Sequence, residues 1–214
     1  MKRRYRLRYL IVGSGVGLGD VILETDAGKS PSCEKRPVSE EEWGVLTTTS
    51  IQEYLFLEKE NKVLPKKFEV QEKHVVHKND VLITRAGPLN RTGISCHVDQ
   101  VNYKLILSDK IIRLNHHEDY TFPRYTPYAL NSNSLRPILE SSMTGMAESQ
   151  VNISQTNIHK IIFPLPTLVE QRRIVRRIEE LFAICDRFKG QLEQRQAVNE
   201  RLMKGLVGEV LEGS

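Results

Sequence analysis

The chain is 214 residues long, enough for one ordinary domain or a smaller domain with a long appendage, and too short for a large multidomain machine. Hydrophobic residues at 39% and charged residues at 27% describe a soluble, globular chain, and no apolar run approaches the ~18 residues of a membrane span. The net charge of +4 permits a nucleic-acid partner without demanding one. Much of that charge sits in Lys2, Arg3, Arg4, Arg6 and Arg8, so a nucleic-acid site elsewhere must be local and shaped.

In chain order, Tyr9–Val12 is too short an apolar stretch for a signal peptide. Gly13–Gly19 invites a dinucleotide-fold reading, but the last glycine of the G-x-G-x-x-G pattern falls on Leu18. No helix pattern follows it, because Val21–Glu24 has strand composition. Ala27-Gly28-Lys29-Ser30 resembles the end of a phosphate-binding loop. The leading glycine is replaced by Leu23, and Pro31 stands where the loop's helix should run.

Cys33, Cys96 and Cys185 are scattered, a poor disulfide framework that points to a reducing compartment. His74/His77 and His116/His117 have no acidic or cysteine cluster at zinc-ligand spacing. The residues nominate neither a metal site nor a catalytic constellation.

Val81–Thr84, Ile94–Val98 and Lys110–Leu114 read as further strands, and Tyr125–Leu139 as a weaker helix. Between the first two lies Arg85-Ala86-Gly87-Pro88-Leu89-Asn90-Arg91-Thr92-Gly93. Arginine can meet a guanine edge bidentately and asparagine an adenine edge, while glycine lets backbone approach phosphate. Arg85, Asn90 and Arg91 are therefore candidate DNA contacts, although an ordinary surface hairpin has the same composition. Lys29, Ser30, Thr47 and Thr48 are weaker candidates for positioning phosphates.

The chain changes character at Phe163-Pro164-Leu165-Pro166, after which no proline occurs. Thr167-Leu168-Val169-Glu170 is a capping box that starts a helix. Ile174, Ile178, Leu181, Cys185, Phe188 and Leu192 recur in steps of four and three. The same spacing continues through Arg195, Asn199, Leu202 and Leu206. This heptad seam predicts a rod of roughly 60 Å that packs on a partner helix, with the polar positions fixing register. Arg172/Arg176 and Arg173/Arg177 are like-charge pairs at i, i+4. An acidic surface or DNA phosphate would relieve them, and so would an Arg176–Glu180 pair.

Asn152-Ile153-Ser154 and Leu165-Pro166-Thr167-Leu168-Val169-Glu170-Gln171-Arg172-Arg173-Ile174-Val175 resemble the specificity (S) subunits of Type I restriction-modification systems. Leu18–Val21, Gly28–Pro31, Gly44–Ile51 and Asn79–Gly87 are similar to the start and interior of that family's target recognition domain. The resemblance covers roughly residues 17–210.

It implies an α/β (α+β) recognition domain at 17–166, after an atypical segment at 1–16. A conserved helix follows at 167–210, forming an antiparallel coiled coil on dimerisation. It further implies a non-catalytic, cytoplasmic, sequence-specific reader of one half of a bipartite double-stranded DNA target. Such a reader docks modification (M) and restriction (R) subunits. S-adenosylmethionine and ATP/Mg are then expected on those partners, with no cofactor bound directly. Full S subunits carry two such domains and two such helices, so a chain with one of each is either a half-length subunit that acts as a homodimer or a fragment of a longer chain. The alternative is a coiled-coil adaptor whose first domain binds protein.

Overall fold

A computed structural model describes residues 15–212. The expectations for residues 1–14 lie outside it, as do those for the side chains of Leu202 and Leu206. The chain divides into a globular unit ending at Arg172 and a helical unit from Arg173.

The globular unit is mixed α/β. Its centre is an antiparallel sheet in the order β2 (Ile22–Ala27), β11 (Ile111–His116), β7 (Val81–Thr84), β9 (Ser95–His97). All four residues of β7 are buried, which is why this strand reads as an uninterrupted apolar run rather than an alternation. Beside this sheet, β3 (Trp43–Leu46) pairs in parallel with β10 (Lys104–Ile106) and antiparallel with β6 (Asn61–Val63). The core joins the two sheets through Leu46, Leu82, Cys96, Leu105, Leu107 and Ile111.

Strand β1 (Gly15–Gly17) pairs antiparallel with β14 (Ile162–Pro164), Gly15 opposite Pro164. One helical turn, α1 (Leu18–Val21), separates β1 from β2, where the sequence predicts strand from Val21 onward. This turn is too short to serve as the helix of a dinucleotide fold.

The stretch predicted as one helix over Tyr125–Leu139 is two, α2 (Tyr125–Leu130) and α3 (Arg136–Ser141). The break has a cause. Asn131 leaves the helix so that its Oδ1 accepts from the Ser95 amide at 3.0 Å and its Nδ2 donates to the Ser95 carbonyl at 2.7 Å. One side chain thereby satisfies the edge of β9 as a neighbouring strand would.

An ion triad ties β2 and β11 to the turn that enters β7. Arg113 is 8% exposed. It donates to Asp26 at 2.9 Å, Asp80 at 3.2 Å, the Val75 carbonyl at 2.8 Å and the Lys73 carbonyl. Burial alone would raise the Asp26 carboxyl, but hydrogen bonds from Asn115 and Arg113 hold it below its ordinary value. Asp80 is more deeply enclosed, and burial pushes it up against the His77 amide and Arg113.

The final helix, α4 (Leu168–Glu212), is 45 residues long, about 68 Å at ~1.5 Å per residue. The Thr167 hydroxyl accepts from the Glu170 amide at 3.3 Å, the bond expected of the capping box. Gln171 is completely buried. Its Oε1 accepts from the Phe122 amide at 2.7 Å, and its Nε2 donates to the Tyr120 and Pro166 carbonyls, each at 2.8 Å. Arg172 places its guanidinium 4.7 Å from the centre of the Phe122 ring, a cation–π contact. The first turn of the helix therefore belongs to the globular unit.

Gln171→Leu leaves an amide and two carbonyls without their partner. It is expected to lower stability by about 2–3 kcal/mol. An unchanged urea midpoint, at unchanged m-value, would show that these bonds contribute nothing net.

Candidate nucleic-acid interface

The candidate DNA contacts fall into two neighbouring groups. Ser30, Thr47 and Thr48 line one cleft of about 310 Å³, together with Lys35, Lys62 and Lys110. The cleft opens beyond the carboxyl ends of the parallel strands β3 and β10, with the turn before β11 as one wall.

Gly28 makes this wall possible. A Cβ there would stand 1.8 Å from the Leu107 carbonyl oxygen, so only glycine lets the end of β2 lie against the end of β10. The Gly28 and Lys29 amides donate to the Ser108 and Leu107 carbonyls, each at 3.2 Å. Gly28-Lys29-Ser30 is thus a pinned strand exit. Ser30 donates to the Asp109 carboxylate and accepts from its amide. Lys29 is exposed and is not part of the cleft lining.

The second group is the loop after β7. Its backbone runs through β8 (Ala86–Gly87), which pairs with β13 (Gln150–Asn152). That strand in turn pairs with β12 (Thr144–Ala147). The hairpin of β12 and β13 is largely exposed, and the Leu89 amide donates to the Glu148 carbonyl at 2.7 Å.

Arg91, a candidate DNA contact, turns its guanidinium inward. It donates to Gln52 Oε1 at 2.8 Å, the Ile51 carbonyl at 2.8 Å and the Thr48 carbonyl at 3.0 Å. Arg136, on α3, grips the same loop through the Thr92 carbonyl at 2.8 Å and the Leu89 carbonyl. Two arginines thus clamp the loop from below, and Arg91 is its anchor. Arg85 is half-buried and Asn90 exposed. Among the described residues, the Arg85 guanidinium has no hydrogen bond or ion pair.

Cleft and loop are joined. Arg91 bonds the cleft residue Thr48, and the Arg85 amide donates to the carbonyl of the cleft residue Lys110 at 2.8 Å. Sequence reasoning missed Gln171, Arg136 and the lysines of the cleft. Only the first had a signal, its place in the helix-start motif.

The histidines form no site together. His74 is buried and His77 exposed. His116 Nε2 lies 2.7 Å from the Thr126 hydroxyl, and burial pushes its pKa down to about 4. His117 packs on Tyr120. Among the described residues, no helix is long and apolar enough to cross a membrane.

On the long helix, Leu181, Phe188 and Leu192 are 45%, 62% and 61% exposed, and Cys185 is also exposed. Ile184 and Phe182 widen this apolar stripe on either side. The seam positions Ile174 and Ile178 are half-buried, and Asn199 is exposed. Glu180 pairs with Arg177 at 3.2 Å, rather than with Arg176 as the sequence suggests, and Arg172 is taken by Phe122.

The globular unit thus carries a clamped surface loop beside a lysine-lined cleft, and the long helix carries an exposed apolar stripe. Residues 18–195 match the family of the Type I restriction modification DNA specificity domain, and the chain belongs to that family. It is 40% identical over 195 residues to the Type I restriction enzyme EcoEI specificity subunit of Escherichia coli, covering 91% of this chain and 33% of that protein. The StySPI specificity subunit of Salmonella potsdam is 32% identical over 105 residues, covering 49% of this chain and 22% of that one. The chain thus spans at most about a third of these relatives.

Among solved structures, the fold is shared with the HsdS subunit from Thermoanaerobacter tengcongensis at a TM-score of 0.53 and 19% identity, over 81% of this chain and 38% of that chain. A chain from a structure described as the basis of complex assembly and conformational transition of the type I R-M system gives a TM-score of 0.60 at 19% identity, over 90% of this chain and 44% of that one.

Proposed function

We propose that the chain is a non-catalytic specificity element that reads one half of a bipartite DNA target and docks modification subunits through its long helix. The observation that carries this reading is the clamped loop. Two inward arginines hold Arg85 and Asn90 at a rigid surface beside a cleft whose lysines have no acidic partners among the described residues. Direct readout needs such rigidity, because a bidentate base contact tolerates little displacement. Methylation chemistry, with its S-adenosylmethionine, belongs in this reading to M subunits. ATP-driven steps belong to R subunits. The complex works in the cytoplasm, where its DNA substrate is.

The exposed stripe of the rod supports self-association. Two copies would supply the two half-sites of a split target, and their helices would pack as an antiparallel coiled coil. Methylome sequencing of cells that express the chain with a Type I modification subunit tests this reading and reveals the target. A split, symmetric motif is the expected result, and an unmodified genome would count against it.

With the target known, Arg85→Ala is expected to weaken cognate binding by about 1–3 kcal/mol while leaving random-sequence binding nearly unchanged. Arg91→Ala is expected to lower the melting temperature as well, because Arg91 anchors the loop. Equal losses on cognate and random duplexes for Arg85→Ala would remove that residue from base reading. The rival reading, a coiled-coil adaptor, predicts no salt-dependent duplex binding even with M present.

A further inference from the structure

We propose that the cleft between Ser30, Thr48, Lys62 and Lys110 is a phosphate seat. It holds one phosphodiester of the DNA backbone, which sets the register in which the Arg85–Gly93 loop meets the bases. This rests on the reading of the chain as a DNA-binding protein.

Four observations carry it. The cleft brings Lys35, Lys62 and Lys110 around one space of about 310 Å³. Among the described residues none of the three forms an ion pair, whereas nearby Lys104 is paired with Glu41 and Arg36 with Glu34 and Glu42. Asp109, the acidic residue in the lining, accepts the Ser30 hydroxyl and keeps its charge, and the three lysines outnumber it. Ser108, in the cleft wall and 5% exposed, keeps a buried hydroxyl oxygen without a hydrogen-bond partner, a condition that protein interiors rarely leave standing.

The volume decides the ligand's size. About 310 Å³ admits a phosphate group with its water. The bonds from Arg91 to Thr48 and from Arg85 to Lys110 link the seat rigidly to the loop. A backbone contact here therefore orients the loop without itself reading sequence.

The test compares the full chain with Lys62→Gln/Lys110→Gln on short random-sequence duplexes over a salt series. Lys66→Gln/Lys67→Gln, whose lysines are not part of the cleft lining, serves as control. Loss of one phosphate contact is expected to reduce the slope of log K against log salt by about 1, uniformly across sequences. The control should leave the slope closer to wild type. Unchanged melting is expected, because among the described residues the replaced lysines form no ion pair.

A cleft variant with the wild-type slope overturns the seat while the DNA reading stands. Wild-type protein without salt-dependent duplex binding overturns both. Inorganic phosphate or ATP that binds wild type but not the cleft variant, with the duplex slope unmoved, also overturns the proposal. It would assign the cleft to a free phosphate ligand.

Discussion

Replacing Arg113 by methionine is expected to destabilise the globular unit by about 3–5 kcal/mol, enough to unfold much of the population of a marginal domain. The volume of the side chain is nearly kept, so the loss is electrostatic. Asp26 and Asp80 would remain enclosed without their shared guanidinium, and the Val75 and Lys73 carbonyls would lose a donor. The deficit depends on pH with a definite sign. In the native protein Asp26 is held below its ordinary pKa, so its contribution is present above the unfolded value and is lost as pH falls through the folded one.

In the variant the orphaned carboxyls are raised instead and prefer their protons. The gap between wild type and variant is therefore widest near neutrality and narrows in acid. Adding Asp26→Asn and Asp80→Asn to Arg113→Met should recover part of the loss. Urea unfolding at neutral and mildly acidic pH measures both effects. A gap that stays constant with pH would mean that packing, not charge, holds the triad together.

The second large effect concerns the rod. Leu181→Asp with Phe188→Asp is expected to weaken its association with a partner helix by at least about 100-fold. Each buried Leu or Phe contributes about 1.5–3 kcal/mol, and a carboxylate in the seam adds a desolvation cost. Both residues are exposed in the single chain and spaced seven apart, so the substitutions do not touch the globular core. Sedimentation of the chain alone, and retention of an M subunit, are the two readouts. Unchanged assembly in both would refute the seam.

The stripe is broader than a strict two-position seam, because Phe182 and Ile184 flank it. That width suits contact with more than one neighbouring surface.

Periodic features were readable from the sequence. Strand β7 falls at the expected residues Val81–Thr84, and Thr167 starts the helix where its capping pattern places it. Both depend on neighbours in sequence. What could not be read depends on where long side chains end. The composition of the Arg85–Gly93 loop suits DNA whether Arg91 points out or in. Its inward course is decided by carbonyls at Thr48 and Ile51, some forty positions earlier.

The break after Leu130 has the same origin, since Asn131 is drawn away by the edge of β9. The lysines of the cleft are scattered along the sequence, at Lys35, Lys62 on β6 and Lys110 before β11, and converge because β3 pairs with both β6 and β10. Tertiary placement, not local propensity, makes the candidate interface.

The pairing of Gly15 with Pro164 has a consequence for inheritance. Everything between those residues leaves and returns at one point, so the unit begins and ends on a single pair of strands. Exchanging it between Gly17 and Ile162 would keep the junction to the helix, and with it the machinery of assembly. If the unit reads DNA and the helix docks partner subunits as proposed, a new target specificity needs new sequence only between these two short segments.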